Sequence, residues 1–168
     1  MYRKLNTQES EMVSYKKELT EKPQLLVLDW TNNYFEIWKE YAEKYSSDPV
    51  FKLASIIVKD DIIIWKWSNI STFHEKNWCN RKDKNWKSMY KSWEWYEKCS
   101  WCNPKTSHSE PNSIKRCIKE WNEKKLKGSI LFLYWHFWPC PSCWEYCKKY
   151  WIKNIIVQKS AFDLHRWR

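Results

Sequence analysis

A chain of 168 residues is long enough for one domain with a sizeable core. Its 30 Lys and Arg against 20 Asp and Glu leave a net charge of +10, which suits an anionic partner such as a nucleotide or a nucleic acid. No apolar run approaches the roughly 20 residues that cross a bilayer, and the polar start MYRKLNTQESEMVSYKK has no secretory character. A cytoplasmic protein without membrane contact is therefore expected, its seven cysteines serving as metal ligands or thiols rather than disulfides.

Residues 1–24 are polar with weak periodicity and predict an N-terminal extension, taken as 1–30, ahead of one domain over 31–168. YFEIWKEYAEKY (34–45) repeats apolar side chains at helical spacing and runs into SSDP, a natural stop, so it predicts the first core helix. KLASIIVKDDIIIWKW reads as two β-branched strands joined at Lys59-Asp60-Asp61, a hairpin. Residues 68–107 form a long Asn-, Lys-, Ser- and Trp-rich stretch that contains Cys79, Cys99 and Cys102; a loop of that length in a compact domain is functional, metal-bound or mobile. A helix from about His108 to Asn122 with Ser107 as N-cap, the strand SILFLYW, the helix CPSCWEYCKKYW and the strand KNIIVQ complete the pattern. Strands alternating with helices predict an α/β fold, a three-layer α/β/α sandwich around a central mixed sheet.

HFWPCPSCWEYC (136–147) crowds three cysteines among aromatics. On its own, Cys140-x-x-Cys143 fits half a disulfide framework, a redox pair, part of a metal site or buried thiols. Upstream stands HSE, so the chain carries His108-x-Glu110 followed by Pro139-Cys140-x-x-Cys143, and by that pair of motifs it resembles the zinc deaminases. The physical chemistry agrees. His108 opens one predicted helix, and Cys140 and Cys143 share a face in the first turn of another. Two thiolates and an imidazole leave one tetrahedral position for water, as in catalytic rather than structural zinc sites. The ion lowers the pKa of that water, and Glu110, two residues from a ligand, is placed to carry protons.

The resemblance extends over about residues 34–158. SSDPVFKLASIIVKDDIII is similar to the deoxycytidylate (dCMP) deaminase segment in which a helix ends at S-x-D-P and a strand pair passes through V-K-D. HSEPNSI resembles that family's H-A-E-x-N-A-I, and PCPSCWEYCKKYWIKNIIV its P-C-x-x-C, helix, G-I-K and strand. The resemblance implies a cytidine-deaminase-like fold, zinc held by His108, Cys140 and Cys143, Glu110 as proton shuttle, and conversion of dCMP to dUMP with release of ammonia by a homo-oligomer. Asn69, in WKWSN, matches the family's G-x-N and would contact the sugar or phosphate. Some members carry a second, structural zinc, for which His74, Cys79, Cys99 and Cys102 are the candidates, with only Cys99-x-x-Cys102 suitably spaced. Ser109 for the usual Ala, Trp138 where an acidic residue is common, and an end ten residues after Gln158 depart from the pattern.

The same zinc motif would serve a deaminase acting on single-stranded nucleic acid or tRNA, to which the charge is suited. A catalytically inactive zinc-scaffolded binding module is the other alternative, and Glu110 argues against it. Cys117 and Cys147 are expected as helix thiols, and His136 and His165 as structural histidines. Arg81 and Lys82 are candidate phosphate contacts or solvated surface.

Fifteen Trp against one glycine, Gly128, is an abnormal balance. Trp67 and Trp151 fall where the family has the glycines of G-x-N and G-I-K, positions that favour glycine for backbone reasons. We read many of these tryptophans as UGA codons decoded as glycine in the source organism. A protein whose aromatics stack on bases is the alternative.

Overall fold

The structure is a computed structural model that describes residues 23–29, 33–48, 52–70, 77–81, 99, 108–121, 123–136 and 139–165. In chain order the elements are β1 (Gln24–Leu28), α1 (Asn33–Tyr45), β2 (Ala54–Lys59), β3 (Ile62–Ser68), α2 (Ser109–Trp121), a single 3-10 turn (Glu123–Lys125), β4 (Ile130–Tyr134), α3 (Pro141–Lys149), β5 (Asn154–Gln158) and α4 (Lys159–His165). The strands form one five-stranded sheet in the order β1-β5-β4-β2-β3. β1 and β4 flank β5 in parallel, and β2 runs antiparallel to both β4 and β3, so the sheet is mixed as expected.

Strand side chains alternate between faces, and the burial follows that period of two. Ala54, Ile56, Val58, Phe132, Tyr134 and Ile156 pack with Phe35, Trp38 and Ala42 of α1. Ile57, Leu131, Leu133, Ile155 and Val157 pack on the other face with Ile114 and Cys117 of α2 and Cys147 of α3. The three layers are thus α1, the sheet, and the α2–α3 pair. Each fully buried Ile, Leu or Phe contributes about 1.5–3 kcal/mol of transfer free energy, so both faces are needed to hold a domain of this size. No helix among the described residues is long and apolar enough to cross a membrane.

The hairpin turns where expected. Asp60 and Asp61 both take left-handed backbone, with φ of 50° and 62°, the pattern of a two-residue turn whose twist matches the strands. β1 is a strand that the sequence reading did not assign, and it lies ahead of the expected boundary after residue 30. Its partner β5 is far away in sequence, which leaves no local hairpin signal. The final helix is short, with seven residues.

Trp151 and Trp67 part company. α3 ends in a Schellman motif: Trp151 N–H donates to Lys148 C=O at 3.1 Å and Ile152 N–H to Cys147 C=O at 3.1 Å. Trp151 takes the left-handed position of that motif, with φ of 57°, and its indole is 57% exposed. Glycine is the usual residue there because a Cβ is strained at positive φ. Trp67 lies in β3 opposite Ser55, in ordinary strand backbone, with the Arg116 guanidinium 4.8 Å from its ring centroid. The backbone argument for glycine therefore holds at 151 and not at 67. Trp135 also adopts positive φ, 55°, which the sequence reading did not anticipate. Trp151→Gly should raise stability by about 1 kcal/mol, or about 2–4 °C in Tm for a chain of this size. Trp67→Gly should lower it; an equal gain at both positions in thermal melts would contradict the backbone account.

Candidate metal centre and active site

The N-termini of α2 and α3 converge on one point. His108 immediately precedes α2, and the Asn112 side chain donates to its carbonyl at 2.9 Å, tying the entry of that helix. Cys140 is the N-cap of α3, with Pro141 beginning the helix, where the missing N–H costs nothing. The Cys140 side chain makes no capping bond, so it points elsewhere, and Cys143 follows one turn later on the same face. Cys140 Sγ lies 3.7 Å and Cys143 Sγ 3.4 Å from His108 Nδ1, and the two sulfurs are 3.1 Å apart. Tetrahedral zinc with ordinary bond lengths would space sulfur and nitrogen by about 3.6 Å and two sulfurs by about 3.8 Å. The S–N distances match, and the sulfurs need only a small separation.

The three groups strongly shift one another's titration. The hydrogen bond with Cys143 is the largest influence on Cys140 and, with bonds from His108 and Ser142, holds its thiol down at about 3. Cys143 is pushed far up, first by its bond to Cys140 and then by burial. Burial pulls His108 down, but its bond to Cys140 and the charges of Glu110, Cys140 and Asp48 outweigh it and raise the imidazole. A dication displaces such protons on binding, which couples affinity to pH.

Glu110 completes the constellation. It is 2% exposed; Oε2 accepts from Ser109 Oγ at 3.2 Å, while Oε1 is buried without a hydrogen-bond partner. An unpaired buried carboxylate oxygen is costly, and such an orphan beside three metal-type ligands is what a site for an ion and a reacting water requires. The residues present therefore fit zinc. Beneath Glu110, Ser55 Oγ on β2 donates to Ser113 Oγ at 2.9 Å, and Ser113 Oγ donates to the Glu110 carbonyl at 2.9 Å. That relay fastens the first turn of α2 to the sheet.

The other expected residues fall as follows. Asn69 follows β3, is 4% exposed, and its Oδ1 accepts from Leu53 N–H at 2.8 Å and Ser46 Oγ at 2.6 Å. Of the suggested second zinc site, Cys79 and Cys99 are both buried, while His74 and Cys102 lie outside the described residues. Among the described residues, His108, Cys140 and Cys143 are the group arranged to hold a metal. Cys117 and Cys147 are core thiols: burial pushes Cys117 up to about 11 and Cys147 well above its ordinary value. His136 is buried, as a structural histidine would be. Arg81 is 2% exposed rather than solvated, and Ser107, Lys82, Trp138 and the His165 side chain lie outside the described residues. Sequence reasoning gives no role to Ser46, Asp48, Ser55 or Ser113 individually; SSDP reads as a helix stop and as part of the family resemblance.

A His/Cys/Cys corner with a buried glutamate, set at the N-termini of two helices on an α/β sandwich, defines a zinc-dependent deaminase. Residues 28–159 match the family described as the cytidine and deoxycytidylate deaminase zinc-binding region, and the chain belongs to that family. No curated protein sequence matches it significantly. Among solved structures it is similar to dCMP deaminase from the cyanophage S-TIM5 in complex with dCMP and dUMP, with 19% identity, a TM-score of 0.49, and 80% of this chain and 88% of that chain covered. The apo form of the same enzyme gives 20% identity, a TM-score of 0.45, and 82% and 93% coverage. Guanine deaminase from Bacillus subtilis gives 16% identity, a TM-score of 0.45, and 79% and 69% coverage.

Proposed function

We propose that the chain hydrolyses the exocyclic amine of a cytosine nucleotide, converting dCMP to dUMP and ammonia. The observation that carries the chemistry is the buried Glu110 Oε1, unpartnered beside His108, Cys140 and Cys143. A closed structural site needs no such group. His108, Cys140 and Cys143 would hold the ion; zinc, when bound, supplies a Lewis acid that makes water nucleophilic at neutral pH. Glu110 would take one proton from the attacking water and deliver it to the ring nitrogen next to the carbon under attack, then take the second proton from the new hydroxyl on that carbon and give it to the departing amine, leaving a carbonyl and ammonia. Its Oε2 accepts from Ser109, which fixes the carboxylate and leaves the unpartnered Oε1 to carry the proton. The dCMP assignment rests on the likeness of the SSDP, V-K-D, H-x-E-x-N and P-C-x-x-C segments to dCMP deaminases, with Asn69 as a contact to sugar or phosphate. Burial of Cys79 and Cys99 suits a second, structural zinc shared with His74 and Cys102.

The deciding experiment follows the ultraviolet absorbance of free dCMP with zinc-loaded protein, using Glu110→Gln as the blank. Conversion above the blank is expected. No conversion of dCMP, together with conversion of cytosine in a single-stranded oligonucleotide, would move the substrate to polynucleotides.

A further inference from the structure

Glu110 is held from the sheet as well as from its own helix. Ser113 Oγ lies 2.9 Å from the Glu110 carbonyl oxygen and 2.9 Å from Ser55 Oγ on β2, and both serines are wholly buried. A carbonyl oxygen only accepts, so the single Ser113 proton is committed to Glu110, and Ser113 Oγ meets Ser55 as the acceptor. The direction of the relay is therefore fixed: Ser55 donates to Ser113, and Ser113 to the backbone of Glu110.

The register identifies the frame to which the relay ties Glu110. Ser55 pairs with Leu133 of β4, the strand that leads to Cys140, and shares a face of β2 with Ile57, which packs with Ile114 of α2. One strand thus carries the relay while its neighbour carries the chain toward the thiols. The other anchors of this turn are local: Asn112 donates to His108 C=O at 2.9 Å, and Ser109 to Glu110 Oε2 at 3.2 Å. With Oε2 held, the place of the unpartnered Oε1 is set by where the backbone of residue 110 stands. Stability alone does not call for the relay, since a buried hydrogen-bonded pair exchanged for two apolar groups is nearly neutral.

We propose that Ser55 and Ser113 are positioning residues for the deamination, a relay that fixes the Glu110 carbonyl against β2 and so sets Oε1 relative to His108, Cys140 and Cys143. The inference rests on the reading of Glu110 as the proton carrier. It assigns the relay to the chemical step and not to substrate binding, because both serines are closed off beneath α2 and reach the reaction only through Glu110. Misplacing a catalytic group by about 1 Å costs about 100-fold in rate, whereas the contacts that bind the ground state are unmoved.

A double-mutant cycle on the zinc-loaded full chain, with dCMP as probe, tests this. Ser113→Ala strands the buried Ser55 hydroxyl and should lower Tm by about 2–12 °C, whereas Ser55→Ala with Ser113→Ala removes both partners and should melt within about 2 °C of the wild type. Turnover should follow a different order. Ser113→Ala and the double variant should both lose about 10-fold to 100-fold in kcat, with KM within about twofold and zinc stoichiometric, because both free the Glu110 carbonyl. An unchanged kcat in the double variant, a loss confined to KM, or a loss of kcat that tracks Tm across the variants overturns the relay and leaves the deaminase reading standing. If the double variant does not fold, Ser55→Ala decides: a lower kcat at unchanged KM supports the relay, and wild-type kinetics overturn it. Should the wild type convert cytosine in a single-stranded oligonucleotide and not dCMP, the same kcat and KM are read with that substrate. A wild type that converts neither overturns the deaminase reading itself, and the role of the relay with it.

Discussion

Glu110→Gln should keep its zinc and lose turnover by about 10³-fold or more, toward the upper end of what a positioned acid–base group contributes. The substitution is nearly isosteric, and its amide oxygen can still accept the 3.2 Å bond from Ser109 Oγ, so the first turn of α2 should remain in place. A carboxamide cannot take up and return a proton, and the chemistry needs one group to do both. A second consequence separates this from damage to the fold. In the metal-free protein the buried Oε1 has no partner, so replacing a carboxylate there by a neutral amide removes a desolvated charge that stability has to carry. The metal-free variant should melt no lower than the metal-free wild type, within about 0.5 kcal/mol, while activity collapses. Zinc by elemental analysis, thermal melts with and without chelator, and the dCMP assay together check this. Retained activity would remove Glu110 from the mechanism; parallel loss of stability and turnover would make it a structural residue.

The parts of the molecule legible in the sequence are those whose cause is local. The periodicity of YFEIWKEYAEKY, the Asp-Asp turn and the Cys140-x-x-Cys143 spacing each depend on neighbours a few residues away, and α1, the hairpin and the start of α3 stand where those signals place them. What escaped is long-range. β1 is a strand because Gln24–Leu28 pairs with Asn154–Gln158, and nothing within its own five residues shows a distant parallel partner. Ser55 and Ser113 meet across 58 positions, and Ser46 meets Asn69 across 23, so none of these three serines could be tied to Glu110 or Asn69 from spacing. Arg81 sits in a polar segment and reads as surface, yet it is buried. Trp67 and Trp151 show the same division in backbone terms. A family position suggests glycine at both, but only the Schellman turn after α3 demands positive φ, and that demand is set by how the helix must hand over to β5.

Cys143→Ser should abolish activity by a different route, through loss of the metal. A serine hydroxyl stays protonated near neutral pH and is a far poorer zinc ligand than a thiolate, so the site would retain His108 and Cys140 from different helices and no pair held at i and i+3. Bound zinc should fall from one per chain in this site to a small fraction after desalting. An ion held by His108, Cys140 and Cys143 would join the N-termini of α2 and α3, so its binding free energy would also be folding free energy. With free zinc at about 1,000 times its dissociation constant, that linkage contributes about 4 kcal/mol, about 8–16 °C in Tm for a chain of this length. The zinc-dependent part of the melting temperature should therefore disappear in Cys143→Ser, while in chelator the variant and the wild type should melt within a few degrees of each other. The contrast with Glu110→Gln is the informative part. One variant keeps metal and metal-linked stability and loses chemistry, the other loses all three, and that pair of outcomes separates a ligand from a proton carrier. Undiminished zinc content in Cys143→Ser would contradict the assignment of Cys143 as a ligand.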